Sequence, residues 1–374
     1  MKKWICLLLA GCLALTLLGC RRKQNTPPTQ DNQTNATQTA TNNQANEKID
    51  LIAVSVPAVT EDTVADDGTI LFQYTYQHMS MVLDKPDVAD KIILDFLNRV
   101  DSTRDTAATT ATAAKSAYVA GQSWTPYLYH LTYSPMRIDH KVLSLFGNNV
   151  VYTGATHPER TCVSASYDLQ TGDVLTLASI MTKDATVQQF CDLVLAGLAE
   201  LAEGDYLYEG YKDTVRNRFT ADPAYDENWY FTQTGLCFYF APYEIAPYAS
   251  GVISVEIPFE KLTTLVHEAY QPEARNQVTG KITAAPFKNE DATKFKNSAD
   301  IVVSNPGDMY TLQTDTTVHD IRIILSDKAS NYTVFAAYGL SNSDGIILQS
   351  NDALRQKMKL TYKSGNETLS MNIG

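Results

Sequence analysis

WYFTQTGLCFYFAPYEIAPYASGVISVEIP, residues 229–258, is the stretch whose reading decides the fold. Residues 229–232 read as a strand, Gln233-Thr234-Gly235 as a turn, and 236–240 as a returning strand with alternating faces. Residues 241–251 form a loop in which Pro242 and Pro247 fix φ and lower the disorder entropy. Val252, Val255 and Ile257 then resume a strand. A connector so long and so rich in Pro and Tyr is either a plug that fills the core or a loop that presents side chains.

Working outward, residues 186–202 read as a helix. Val187, Phe190, Cys191, Val194, Leu195, Leu198 and Leu201 share one face, with Asp184 as N-cap. A polar-aromatic segment with Tyr206, Tyr208, Tyr211 and Tyr225 leads into the opening stretch, and 259–270 is expected to close the region as a helix. Further upstream, strands at 49–59 and 69–81 flank an Asp66-Asp67-Gly68 turn. Val88, Ile92, Ile93, Phe96, Leu97 and Val100 fit one helical face after the start signals Asp84, Pro86 and Asp87. A second, Ala/Thr-rich helix follows at 103–121. Strands are expected at 127–136, 141–146, 150–152, 161–169 and 174–177. The pattern predicts an α+β fold over 49–275, an antiparallel sheet with packed helices. Residues 280–374 show short runs at 301–303, 319–326, 332–338, 345–348, 358–362 and 369–373. Gly, Asn, Asp and Ser punctuate these runs, as in a small β-sandwich-like C-terminal domain.

The chain has 374 residues, 44% hydrophobic and 19% charged, enough for one large domain or two ordinary ones. Residues 49–279 hold 14 Lys and Arg against 30 Asp and Glu, a net of −16, whereas 280–374 hold 10 against 10. The step supports a boundary near 275–285. Such an acidic surface argues against nucleic acid as a partner and favours cationic ones, besides keeping the protein soluble. At the N-terminus, Lys2 and Lys3 precede an apolar run at 4–18 and the lipobox Leu17-Leu18-Gly19-Cys20. Residues 1–20 therefore read as a lipoprotein signal peptide with Cys20 as the lipidated residue, placing the protein on the extracytoplasmic face of a bacterial membrane. Leu9-Ala10-Gly11-Cys12 also fits a lipobox but leaves a very short apolar region. Residues 21–48 are Asn/Gln/Thr-rich and are expected to be a disordered tether.

Catalytic spacing is not found. The six histidines (His78, His130, His140, His157, His267 and His319) show no zinc spacing, and there is no CxxC, phosphate loop or GxSxG elbow. No metal or cofactor is expected. The candidate ligand-binding residues are His157 and Glu159 in a Gly/Pro loop, and Tyr243, Glu244 and Tyr248 in the Pro-bracketed loop. A large amphipathic Tyr suits an interface or a sheet surface, and a loop carboxylate can contact a partner or cap local N–H groups. Trp124 and Trp229 are expected in the core. Of the cysteines past Cys20, Cys162, Cys191 and Cys237 are odd in number, and buried reduced thiols are favoured over one disulfide plus a free thiol.

Three segments carry a resemblance. They are Tyr152-Thr153-Gly154-Ala155-Thr156-His157-Pro158, YDLQTGDVLTL at 167–177, and FYFAPYEIAPYASG at 238–251. Together they resemble the RsiV-like domain family, DUF3298 with a preceding DUF4163-like half, over about 49–270. One departure is that Thr156 separates Ala155 from His157. The resemblance implies an extracytoplasmic bacterial domain, mainly Gram-positive. In one branch it is the lysozyme-binding sensor of an anti-sigma factor, and in another it is fused to a peptidoglycan deacetylase. The leading expectation is a non-enzymatic surface lipoprotein that binds a cationic protein such as lysozyme, or a cell-wall ligand such as peptidoglycan. The rivals are a peptidoglycan-modifying hydrolase using His157 with Glu159 or Glu244, and a structural or assembly lipoprotein that makes contact through 280–374.

Overall fold

The structure is a computed structural model and describes residues 51–201, 206–220, 228–272, 280–287, 309–326, 331–341, 345–349 and 358–373. The expected signal peptide, Cys20, the tether and the strand at 301–303 lie outside these residues. Among the described residues no helix is long and apolar enough to cross a membrane.

The first expected strand is two, β1 (Ala53–Ser55) and β2 (Ala58–Val64). Pro57 stands between them and has no N–H to continue a ladder. β3 (Ile70–Gln77) and β4 (Ser80–Val82) follow the Asp-Asp-Gly turn. α1 (Pro86–Asp101) carries Pro at its first turn with Asp87, and Arg99 in its last turn, which suits the helix dipole. Ala89, Ile92, Phe96 and Val100 are its buried face. α2 (Arg104–Ala117) buries only small groups, Ala107, Thr110 and Ala114. β5 (Tyr127–Ile138), β6 (Val142–Tyr152) and β7 (Glu159–Asp168) complete a five-stranded sheet in the order β2-β3-β5-β6-β7. β3 and β5 are parallel, joined by the α1–α2 crossover, and the other pairs are antiparallel. Phe96 and Val100 of α1 share one apolar core with Tyr129, Leu131 and Tyr133 of β5.

The expected strand at 174–177 is instead a single bridge, Tyr167 to Val174, running into the short helix α3 (Leu177–Ile180). Thr176 and Ser179 form a reciprocal capping box that starts the helix and stops the strand. α4 (Val187–Leu201) buries Phe190, Cys191, Val194 and Leu198. Its start is held by Gln189, whose side chain accepts from Thr186 N–H at 2.8 Å. α5 (Tyr211–Thr220) lies in the segment read only as polar-aromatic, and Tyr211, Val215 and Phe219 are its buried i, i+4, i+8 face.

β8 (Trp229–Phe231), β9 (Gly235–Phe240) and β10 (Ile253–Pro258) form the antiparallel sheet expected of the opening stretch. All six residues of β9 are buried, because the alternating faces meet two different cores. Leu236, Phe238 and Phe240 face the large core with α4 and α5, while Cys237 and Tyr239 meet Phe146 and Cys162 of the five-stranded sheet. Each such large apolar side chain contributes about 1.5–3 kcal/mol on burial. α4 approaches β10 closely at Gly197, where any Cβ would strike the Val255 side chain. The expected helix at 259–270 is two 3-10 turns, Phe259–Lys261 and Glu268–Tyr270. Between them the chain is committed to long-range pairing: Val266 bridges Met181, and Leu265 O accepts from Thr182 N–H at 2.9 Å. A continuous helix would use those backbone groups internally.

The C-terminal part adds β11 (Ile282–Phe287), β12 (Met309–Thr314), β13 (Val318–Ser326), β14 (Asn331–Leu340), β15 (Gly345–Gln349), β16 (Met358–Ser364) and β17 (Glu367–Asn372). β11 and β12 were not foreseen. One sheet runs β11-β12-β15 and the other β17-β16-β13-β14-β1-β4. Ile282 and Leu312 of the first share a core with Ile321, Phe335 and Leu360 of the second, a sandwich-like arrangement. The second sheet takes in β1 and β4 from the start of the described chain. The charge step near 275–285 therefore marks a change of surface composition, not a break in the sheets.

Residues 133–139 of β5 and the turn after it tie these parts together. Gln77 Oε1 accepts from Tyr133 N–H, and Ser134 Oγ accepts from Thr333 N–H at 3.0 Å. Arg322 donates to the carbonyls of Pro135 and Met136. A register shift in the β5–β6 ladder between Pro135 and Arg137 marks a bulge, where a strand Pro is tolerated. Arg137 is fully buried, ion-paired to Asp139 at 2.6 Å, and donates to Tyr270 O at 2.6 Å. Its guanidinium stacks on Phe231 and Phe259, 5.1 and 5.4 Å from the ring centroids. Removing one partner of a buried pair strands the other. Arg137→Ala should therefore lose about 3–5 kcal/mol of unfolding free energy in a urea titration; a loss below about 1 kcal/mol would remove Arg137 from this role.

Cys162, Cys191 and Cys237 are free thiols. Burial pushes Cys162 up to about 12 and Cys237 up to about 11, and raises Cys191 as well. Cys162 and Cys237 stay protonated below those values, burial disfavours the Cys191 thiolate in the same direction, and the thiol is a poor nucleophile. Iodoacetamide at pH 8 should leave their peptides unmodified in the native protein and label all three in denaturant, as read by mass spectrometry.

Candidate functional site: a His–Tyr tip where two loops meet

The loop between β6 and β7, residues 153–158, starts at an end of the five-stranded sheet. Gly154 has φ +87°, and a Cβ there would lie 3.1 Å from the Tyr127 hydroxyl, so both conformation and space call for glycine. The loop between β9 and β10, residues 241–252, is anchored from inside. Ile245 and Ala246 are buried in the large core, and Ile245 O accepts from Tyr208 N–H at 2.9 Å. Tyr243 N–H donates to Ala246 O at 3.1 Å, which closes a tight turn around Tyr243 and Glu244. This turn forces Tyr243 to φ +71°, a left-handed conformation uncommon for a residue with a Cβ.

The two loops bring three expected residues together. The His157 ring stacks on Tyr248 with centroids 4.2 Å apart and planes 22° from parallel. Tyr243 Oη lies 3.1 Å from His157 Nε2, and the Tyr248 hydroxyl donates to Pro158 O at 2.8 Å. His157 Nδ1 is 3.3 Å from Pro158 O, which can only accept, so Nδ1 carries the proton and Nε2 accepts from the Tyr243 hydroxyl. Tyr243 is nonetheless 55% exposed, and His157 is exposed beside it.

Glu244 and Glu159 are not part of this cluster. Glu244 turns inward, accepts from Ala241 N–H at 2.9 Å and pairs with Arg218 of α5 at 2.8 Å, with its side chain 14% exposed. Burial raises its carboxyl above the ordinary value; the Arg218 charge and the Ala241 N–H pull the other way and do not cancel the rise. It is a capping carboxylate that holds the loop's shape. With the Asn228 amide turned to face it, the side-chain oxygen of Asn228 accepts from Arg218 Nη2 at 2.9 Å and steadies the pair. Glu159 is exposed at the start of β7, opposite Val151. No hydrogen bond joins His157 to either carboxylate. Sequence reasoning missed Arg218, because the helix that carries it was not recognised; the Tyr211, Val215, Phe219 spacing was the available signal. Trp229 is buried in the core as expected, and Trp124 is half-buried, stacked on Tyr127 with centroids 5.2 Å apart.

Residues 180–260 match a family model described as a protein of unknown function, DUF3298. The matched stretch runs from the end of α3 through β10 and holds Tyr243, Glu244 and Tyr248; His157 and Glu159 lie before it. Two solved structures of DUF3298 family proteins are similar to the chain. One, from Bacteroides fragilis NCTC 9343, is 19% identical and covers 58% of this chain and 94% of its own, with a TM-score of 0.45. The other, from Pseudomonas aeruginosa PAO1, is 14% identical and covers 60% and 99%, with a TM-score of 0.43. No curated protein matches the chain.

The left-handed backbone at Tyr243 costs about 1–2 kcal/mol in a residue with a Cβ. Tyr243→Gly should therefore be more stable than Tyr243→Ala by about 1 kcal/mol in thermal or urea unfolding, since both lose the ring and only glycine relieves the backbone. Equal stabilities would show that the turn is unstrained.

Proposed function

We propose that this protein is a lipid-anchored envelope protein whose α+β region binds a cationic protein partner through the His157–Tyr243–Tyr248 tip. The observation that carries the reading is Tyr243, a large amphipathic ring held 55% exposed on a left-handed backbone by a buried anchor. Strain and exposure at one residue are features of binding sites more than of packing. The net charge of −16 over 49–279 supports a cationic partner by long-range attraction. Lysozyme is the sharpest candidate because of the family resemblance, and a cell-wall glycan is the alternative ligand. The lipobox ending at Cys20 and the polar segment after it support a tethered location outside the cell. Binding is favoured over hydrolysis because the His157 nitrogens already meet Tyr243 and Pro158, and Glu244 is committed to Arg218 and Ala241.

Titration of the purified full chain with a cationic lysozyme, at low and at physiological salt, tests the proposal. Binding should weaken as salt rises, because screening shortens the reach of the field. Tyr243→Ala should weaken it at least tenfold, the effect of losing an anchor worth about 2 kcal/mol. Absence of binding at both salt concentrations would eliminate lysozyme as the partner, and unchanged affinity in Tyr243→Ala would eliminate the tip as the contact.

A further inference from the structure

Two adjoining cavities away from the tip share Arg99 and Ser164. The larger, about 210 Å³, lies between the end of α1 and the strands β5, β6 and β7; Ser102, Thr103, Asn149 and Asn228 contribute to its wall. The smaller, about 130 Å³, is lined by Ser166, Thr176 and Trp229 among others. Among the described residues, neither wall contains an Asp or Glu, and Arg99 is the only charged side chain lining them. A cation in the wall of two polar cavities is unexpected in a region that carries a net −16.

Arg99 is held in place by a short relay. Its Nε donates to Asp95 Oδ2 at 2.7 Å, and the same oxygen accepts from the buried Tyr167 hydroxyl at 2.9 Å. This fixes the guanidinium and neutralises Asp95. Among the described residues, no hydrogen-bond or ion-pair partner meets Arg99 Nη1 or Nη2. The two terminal nitrogens form the fork that matches a planar two-oxygen anion. Asn149 Oδ1 and Trp229 Nε1 are further buried polar atoms of these walls with no hydrogen-bond partner among the described residues.

We propose that these cavities bind a small polyhydroxylated carboxylate, of the class of a uronic acid. A carboxylate fits the free fork of Arg99. Asp95 already balances the Arg99 charge, so a carboxylate adds one negative charge to the site and a phosphate dianion adds two, the larger cost inside an acidic protein. Asn149 Oδ1 and the Ser102 hydroxyl oxygen, whose proton goes to Arg99 O, can accept, and Trp229 Nε1 can donate, as a ring of hydroxyl groups requires. A closed cavity of about 150 Å³ takes one benzene; the larger cavity has room for one substituted six-membered ring. The site is separate from the partner-binding tip and does not depend on that reading.

The test is a titration of the full chain, followed by calorimetry, with glucuronate, glucose, glucose 6-phosphate and acetate. Glucuronate should bind at least tenfold more tightly than glucose and acetate, and more tightly than glucose 6-phosphate. Arg99→Gln should lose at least tenfold in glucuronate affinity. Because Arg99→Gln strands Asp95 and can unfold the protein, Asn149→Asp serves as a second variant. It places a negative charge in the wall, replaces the Asn149 Nδ2 that donates to Tyr129 Oη with an oxygen that can accept from the same hydroxyl, and should abolish glucuronate binding. Tyr243→Ala should bind glucuronate as the unmodified protein does. Acetate binding as tightly as glucuronate, a preference for glucose 6-phosphate, or no glucuronate binding at all would each overturn the proposal, as would an Asn149→Asp variant of unchanged affinity.

Discussion

The buried Arg137–Asp139 pair is the contact on which the rest of the structure depends. Two charges 2.6 Å apart, out of water, are stable only if nearly every proton and lone pair finds a partner. Tyr270 O takes one guanidinium proton, and the two aromatic rings of Phe231 and Phe259 take its faces. Asp139 Oδ1 accepts from the backbone N–H groups of Lys141 and Val142, which shapes the turn into β6. Strand β5 thereby fixes β8, the 3-10 turns after β10 and the register of β6 together. The same seven-residue stretch receives Arg322 and Thr333 from the C-terminal sheet. A chain with a step in its charge composition is held by polar contacts at one bulged strand.

That arrangement explains how the tip can be strained. The loop at 241–252 leaves the sheet from β9, whose two faces are buried in two cores, and returns into β10, covered by α4 at Gly197. Glu244 and Arg218 lock the turn from within, and the Tyr243 N–H to Ala246 O bond closes it around the left-handed Tyr243. The loop at 153–158 meets it from the next sheet and supplies the His157 ring as a platform. The inward carboxylate and the outward tyrosine are adjacent in sequence and opposite in role, one shaping the loop and the other exposed by it.

Local patterns made much of this legible. Period-two alternation gave β8, β9 and β10, and helical spacing gave α1 and α4. The Pro-bracketed and Gly/Pro loops drew attention to Tyr243, Tyr248 and His157, which the fold does gather. What was hidden is what distant residues decide. The segment at 259–270 has apolar spacing that suits a helix, but pairing with residues 180–182 claims its backbone. Residues 174–177 look like a strand, and a Thr176–Ser179 capping box turns them. β11 and β12 gave no signal that was recognised, although they pair with each other and β12 pairs with β15. The role of Glu244 needed Arg218, 26 positions away and on a helix not anticipated. Nothing in a tyrosine's local sequence announces a positive φ.

The proposed contact surface is the tip, and not the C-terminal sheets. Hydrogen–deuterium exchange of the full chain with and without a saturating cationic lysozyme addresses it directly. The account predicts added protection confined to residues 153–158 and 241–252, with the strands at 309–326 and 358–373 unchanged. Protection centred on those C-terminal strands, with the two loops unaffected, would contradict it.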